Sequence, residues 1–149
     1  MASQALVILM AEDDLGHANL VKRNLVRAGI SNEIMHFLDG QAVLDFIRCE
    51  GEHQNRIPNG PLLLLLDINM PKLDGLEVLR QLKLEEKTSK LPVIMLTTTD
   101  DPREVQKCYE LGCSVYITKP VAYDEFIEAI KRLGLFLSIV KVPREDELS

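Results

Sequence analysis

Residues 62–71 read Leu62-Leu63-Leu64-Leu65-Leu66-Asp67-Ile68-Asn69-Met70-Pro71, five leucines running straight into a carboxylate and then into polar turn residues. An unbroken apolar run of this length fits a strand covered on both faces, as in a parallel sheet, and not the alternation of a strand with one wet face. Asp67 then stands at the carboxyl end of a buried strand. Two other apolar runs end in the same way. Leu6 to Ala11 is followed by Glu12-Asp13-Asp14, and Val115-Tyr116-Ile117-Thr118 by Lys119-Pro120. Three strand ends thus deliver carboxylates and one ammonium.

Between the apolar runs lie segments of helical period. Leu15, Ala18, Val21, Leu25 and Ala28 recur every three or four residues, and Gly29 is placed to end that helix in the left-handed conformation. Glu33 to Phe37 is the weakest strand, and Asp39 can cap a helix that buries Val43, Phe46 and Ile47. Residues 51–61 form the one obvious loop, too short to link domains. After the leucine strand comes a helix with Leu76, Leu79 and Leu82 inward, then a strand from Pro92 to Leu96. Asp101-Pro102-Arg103-Glu104 combines a capping carboxylate, a proline at the first helical position and a capping-box glutamate, so a fourth helix starts there, and Gly112 ends it. The last helix carries Phe126, Ile127, Ile130, Leu133 and Leu137 and stops before Pro143. Five strand and helix pairs predict an α/β fold: a doubly wound, five-stranded parallel sheet with helices on both faces. Residues 1–149 read as a single domain with a core of about 5–140 and a short tail, 141–149, and no internal repeat or membrane span interrupts them.

The 149 residues are 46% hydrophobic, enough for one sizeable core. Seventeen Lys and Arg against 23 Asp and Glu give a formal charge of −6, which repels nucleic acid and anionic membranes over most of the surface. The three cysteines, Cys49, Cys108 and Cys113, have no C-x-x-C spacing and read as reduced, mostly buried thiols of a cytoplasmic protein. The amino terminus lacks a basic stretch, and Asp13 and Asp14 break its apolar run, so it is no signal peptide.

In an open parallel sheet, ligands bind beyond the carboxyl ends of the strands where the strand order reverses. Glu12, Asp13 and Asp67 would share such a cleft, and their mutual repulsion asks for a cation. Mg2+ suits oxygen ligands and keeps waters that phosphate oxygens can replace. Asp67 can then act as a nucleophile on phosphorus, with Lys119 and the Thr97 hydroxyl as donors to the phosphoryl oxygens. Each residue taken singly has a plainer reading. The acidic triplet suits a helix N-terminus, Asp67 a cap or turn, Lys119 a solvated lysine beside a turn proline, and Thr97 a polar strand end. Their joint placement at strand ends favours the aspartyl-phosphate site. His17, His36 and His53 are scattered in sequence and suggest no metal or phosphohistidine role.

These motifs, in this order, resemble the receiver domains of two-component response regulators over residues 5–140. The resemblance implies a flavodoxin-like (βα)5 receiver fold with Asp67 as phosphoacceptor and Lys119 as the phosphate-binding ammonium. It also implies Mg2+ held by Glu12, Asp13, Asp67 and the backbone carbonyl of Asn69. By the same resemblance Thr97 is the switch hydroxyl, Tyr116 the switch aromatic, and Lys119-Pro120 a cis peptide bond, while Asp14 is secondary. Thr98 stands where the family often has a smaller residue, so it can narrow access to Asp67. The resemblance also implies that Asn69 and Thr99 flank the path of attacking water and tune phosphate lifetime.

A receiver is a signalling phosphoacceptor and not an enzyme beyond its own phosphorylation and autodephosphorylation. Only 141–149 follow, so a stand-alone regulator is expected, and the long loop before the leucine strand together with Phe136-Leu137-Ser138-Ile139-Val140-Lys141-Val142-Pro143 resembles the subgroup that accompanies bacterial and cyanobacterial phytochrome kinases. The implied partners are a sensor histidine kinase, a downstream histidine phosphotransfer protein and a second copy bound through the fourth helix, fifth strand and fifth helix. Leu135, Phe136, Leu137, Ile139 and Val140 support such a surface, or else pack on their own domain. Other classes fit less well. A phosphohydrolase would want an acid two residues after Asp67, where Asn69 stands, and a flavin-binding module would want a Gly-rich loop in place of Glu12-Asp13-Asp14. A phosphate-independent interaction module is the remaining alternative.

Overall fold

The computed structural model describes residues 6–27, 29–57, 60–98, 101–119, 124 and 128. In chain order the elements are β1 (Val7–Ala11), α1 (Leu15–Arg27), β2 (Ile34–Phe37), α2 (Gly40–Arg48), a 3-10 turn (Gly51–His53), β3 (Leu62–Leu66), α3 (Gly75–Leu84), β4 (Val93–Thr97), α4 (Pro102–Leu111) and β5 (Val115–Thr118). All five strands are parallel, in the order β2-β1-β3-β4-β5. The expected doubly wound sheet is therefore present, and its strand order reverses between β1 and β3.

The leucine run behaves as its composition demands. Leu63 to Leu66 are fully buried, and their side chains divide by parity between two cores. Leu63 and Leu65 join Ile8, Met10, Ile94, Leu96, Val115 and Ile117 under α1, which contributes Ala18, Val21 and Leu25. Leu64 and Leu66 join Leu9, Ala11, Val93 and Met95 on the opposite face, under α2, α3 and α4. A strand whose two faces are both buried needs no polar alternation, which is why five leucines in a row can form one.

Local chemistry starts and stops these helices, at Asp39, Asp101 and Gly112 as the sequence indicates and at Asp74 without a sequence reading to announce it. The Asp39 side chain accepts from the Ala42 amide at 2.7 Å, Asp74 from Glu77 at 2.9 Å and Asp101 from Arg103 at 3.0 Å, each relieving an orphan donor of a first turn. Gly112 closes α4 at φ 105°. Three details differ from the sequence reading. Leu15 is 62% exposed, because it opens α1 at the rim of the sheet and not over it. Leu44 and Val78, unassigned from sequence, are fully buried, since α2 and α3 lie between the sheet and each other and bury wider faces. The loop at 51–61 begins with the 3-10 turn, where His53 sits edge-on to Phe46 at 5.1 Å between ring centroids. Ala28, Thr99, the Lys119-Pro120 bond, the residues assigned to the last helix and the tail lie outside the described residues. Asp124 and Glu128, which are described, are helical and exposed.

Candidate functional site

Register brings the acidic residues together. β1 and β3 pair in step from Val7 with Leu62 to Ala11 with Leu66, so the next residues, Glu12 and Asp67, emerge side by side. The Asp67 amide donates to the Ala11 carbonyl at 3.1 Å. Glu12, Asp67 and Lys119 also continue the parity of Met10, Leu65 and Ile117, the face that α1 covers. All three are almost wholly buried, whereas Asp13 is exposed.

Oxygens of Glu12, Asp13 and Asp67 all lie within 4.8 Å of one another. The Lys119 ammonium is hydrogen-bonded to Glu12 Oε1 and stands 3.6 Å from Asp67 Oδ2. Asp67 Oδ1 accepts from the amide of Ile68 at 2.9 Å. One ammonium among three carboxylates leaves the cluster negative. Burial first, and the adjacent Glu12 carboxylate second, push the Asp67 carboxyl up to about 7, with Lys119 pulling the other way. A divalent cation fits this donor set, because it would relieve the charge that raises Asp67 and find oxygen ligands already gathered, two of them buried and one exposed.

Thr97 ends β4 and is fully buried, and its hydroxyl has no hydrogen-bond partner among the described residues. A buried hydroxyl in that condition suits an acceptor arriving at the site. The Lys119 amide donates to the Thr97 carbonyl at 2.7 Å, which ties the ends of β4 and β5 together. Tyr116 is half-buried against the α2–α3–α4 core, and its amide donates to the Tyr109 hydroxyl at 3.1 Å. Asn69 and Thr98 are exposed. Asp14 serves the neighbouring helix instead. Its side chain accepts from the His17 amide at 3.1 Å and caps α1, and that bond holds its carboxyl below the ordinary range.

The segment from Asp67 to Gly75 is held from two sides. A Cβ on Gly75 would lie 2.1 Å from the Asp67 carbonyl oxygen, and one on Gly40 2.1 Å from that of Leu73. The Gly75 amide donates to the Ile68 carbonyl at 2.7 Å, so only glycine allows this approach. Neither glycine stands out in sequence.

Two histidines that look unrelated in sequence flank Glu12. His36 Nε2 donates to the Glu12 carbonyl at 2.6 Å, and His17 Nδ1 lies 3.1 Å from Lys119 Nζ. His17 is brought there by the first turn of α1, and no sequence signal marked it. His36 is carried there by the parallel pairing of β2 with β1.

Comparison with known proteins gives the family of this fold. The model of the response regulator receiver domain matches residues 8–131. The chain belongs to that family. It is 35% identical over 138 residues to the response regulator Rcp1 of Synechocystis sp., covering 92% of each chain. The Mn(2+)-bound form of Rcp1 superposes with a TM-score of 0.73 at 34% identity, over 93% of this chain and 99% of that one. The bacteriophytochrome response regulator RtBRR gives a TM-score of 0.81 at 35% identity, over 97% and 86%. The phosphorylated cyanobacterial phytochrome response regulator RcpA gives 0.74 at 28%, over 96% and 100%. The chain is thus a receiver similar to phytochrome-associated regulators. Among the described residues, no helix is long and apolar enough to cross a membrane.

Proposed function

We propose that this receiver accepts a phosphoryl group on Asp67 from a sensor histidine kinase and signals by the surface change that follows. The observation that carries the reading is the meeting of Glu12, Asp13 and Asp67 within 4.8 Å, beside the Lys119 ammonium. An Asp67 carboxylate oxygen forms the new bond to phosphorus while the bond to the donor, a kinase histidine nitrogen or the acyl oxygen of acetyl phosphate, breaks in line and leaves with its electron pair. Lys119 and the unpartnered hydroxyl of Thr97 donate to the phosphoryl oxygens. Glu12, Asp13, Asp67 and the backbone carbonyl of Asn69 would hold Mg2+, which supplies neutralising charge for an incoming phosphate. Tyr116, half-buried on β5, takes the space that Thr97 leaves when it moves toward the new charge.

The same reading assigns residues 1–149 to one receiver domain working in the cytoplasm. The relatives point to a phytochrome-type kinase as donor, with a histidine phosphotransfer protein able to take the group from Asp67. A homodimer through α4, β5 and the helix that follows is proposed as the output surface.

Intact mass after incubation with acetyl phosphate, with and without Mg2+, tests the reading on wild type and Asp67→Asn. A Mg2+-dependent gain of one phosphoryl group, labile to hydroxylamine and absent in Asp67→Asn, is expected. The same gain in the variant would overturn the assignment of Asp67, and no gain in either would leave a phosphate-independent interaction module.

A further inference from the structure

We infer that His17 is a positioning residue for Lys119, an inference that rests on the reading of Lys119 as the phosphoryl-binding ammonium. An ammonium has three N–H donors and no acceptor, so an imidazole nitrogen 3.1 Å away must be the acceptor. The contact thus requires the tautomer of His17 that carries its proton on Nε2. Glu12 Oε1 takes a second N–H of Lys119. Two anchored donors fix both the place and the rotation of the ammonium. The third N–H is left on the Asp67 side, where Oδ2 at 3.6 Å is too far to hold it.

That spare donor faces the atom to which phosphorus attaches, so it needs no reorientation when a phosphoryl oxygen arrives. With Glu12 alone, the ammonium would keep its charge but swing about a single anchor on a four-carbon stem. His17 reaches the contact because Asp14 caps α1 through the His17 amide, a backbone bond that survives any change of the side chain. His17 Nδ1 lies 4.0 Å from Glu12 Oε1, beyond hydrogen-bond distance, and Glu12, Asp13 and Asp67 meet without it, so Mg2+ affinity reads the metal ligands apart from the Lys119 contact.

The test compares wild type, His17→Leu, which removes the acceptor, and His17→Asn, whose side-chain oxygen can stand near the place of Nδ1. Nitrogen-15 NMR of the free protein reads the Lys119 ammonium, visible only while a hydrogen bond slows its exchange, and the tautomer of the His17 ring. Wild type is expected to show the Nε2–H tautomer and a Lys119 ammonium signal, lost in His17→Leu and kept in His17→Asn. Phosphoryl uptake from acetyl phosphate should fall about fivefold in His17→Leu and return to within about twofold in His17→Asn, while the Kd for Mg2+ stays within about twofold throughout. A neutral ring with its proton on Nδ1, or a His17→Leu protein that keeps both the ammonium signal and the uptake rate, would overturn the inference. A wild type that takes up no phosphoryl group sinks the phosphoacceptor reading instead, and the two NMR signals still decide the contact.

Discussion

Asp67 is held in a state that favours its proton. With its folded-state pKa raised to about 7 from an ordinary 3.8, the folded chain keeps a proton that the unfolded chain has released between those values. The stability linked to this group is complete below about 4 and is lost as pH rises through 7. Replacing the carboxylate by an amide removes the loss. Asp67→Asn is therefore expected to be more stable than wild type by on the order of 2 kcal/mol at pH 8 without divalent ions, with the gap closing toward pH 4. Urea denaturation at the two pH values measures it, and an equal gap at both would remove the carboxylate as its source. The same proton competes with a cation, so Mg2+ affinity should climb through pH 7 by up to about tenfold per unit. Calorimetry is the suitable readout, since the chain has no tryptophan. Glu12, Asp67 and Lys119 were legible because each follows an apolar run. His17 and His36 were not, because their relation to Glu12 exists only after α1 and β2 have packed beside β1.

At the scale of elements, turn chemistry was the most readable layer. Asp39 and Asp101 cap the helices that their sequence contexts announce, through bonds of 2.7 and 3.0 Å. Asp39→Ala should cost about 1 kcal/mol in chemical denaturation, and no loss would show that solvent replaces the cap without penalty. Burial at element edges was harder to read. Leu15 has the right period for the core yet lies 62% exposed, because periodicity assigns a face to a helix and not the point at which the helix overhangs the sheet. Gly75 carried no sequence signal of its importance, since the partner of its missing side chain is a backbone carbonyl. Gly75→Ala is expected to destabilise the fold by about 3 kcal/mol and to slow phosphoryl uptake, because the carbonyl it displaces belongs to Asp67. Full stability in that variant would mean that the loop shifts freely.

At the scale of the molecule, the two cores on opposite faces of the sheet set what reagents can reach. Burial pushes the thiols of Cys113 and Cys108 up to about 12 and about 11, so both stay protonated at neutral pH. Cys49 ends α2 in the left-handed conformation and is half-buried. A thiol-reactive chromophore at pH 8 should therefore titrate one cysteine quickly and the other two only after denaturant is added, and three fast thiols would contradict the packing of α4 on the sheet.

The close approach of Gly40 and Gly75 to their carbonyls bears on how a charge placed on Asp67 can be felt elsewhere. A backbone closed on its own start at Gly75 and abutted by Gly40 at Leu73 has little room to retreat, so the side of the pocket from Asp67 to Gly75 serves as an anvil. Displacement is left to the opposite wall, where Thr97 and Lys119 end β4 and β5 and an unpartnered hydroxyl stands ready to move. The message would then travel in one direction across the sheet, and a partner resting on the α2–α3 flank would find the same surface before and after.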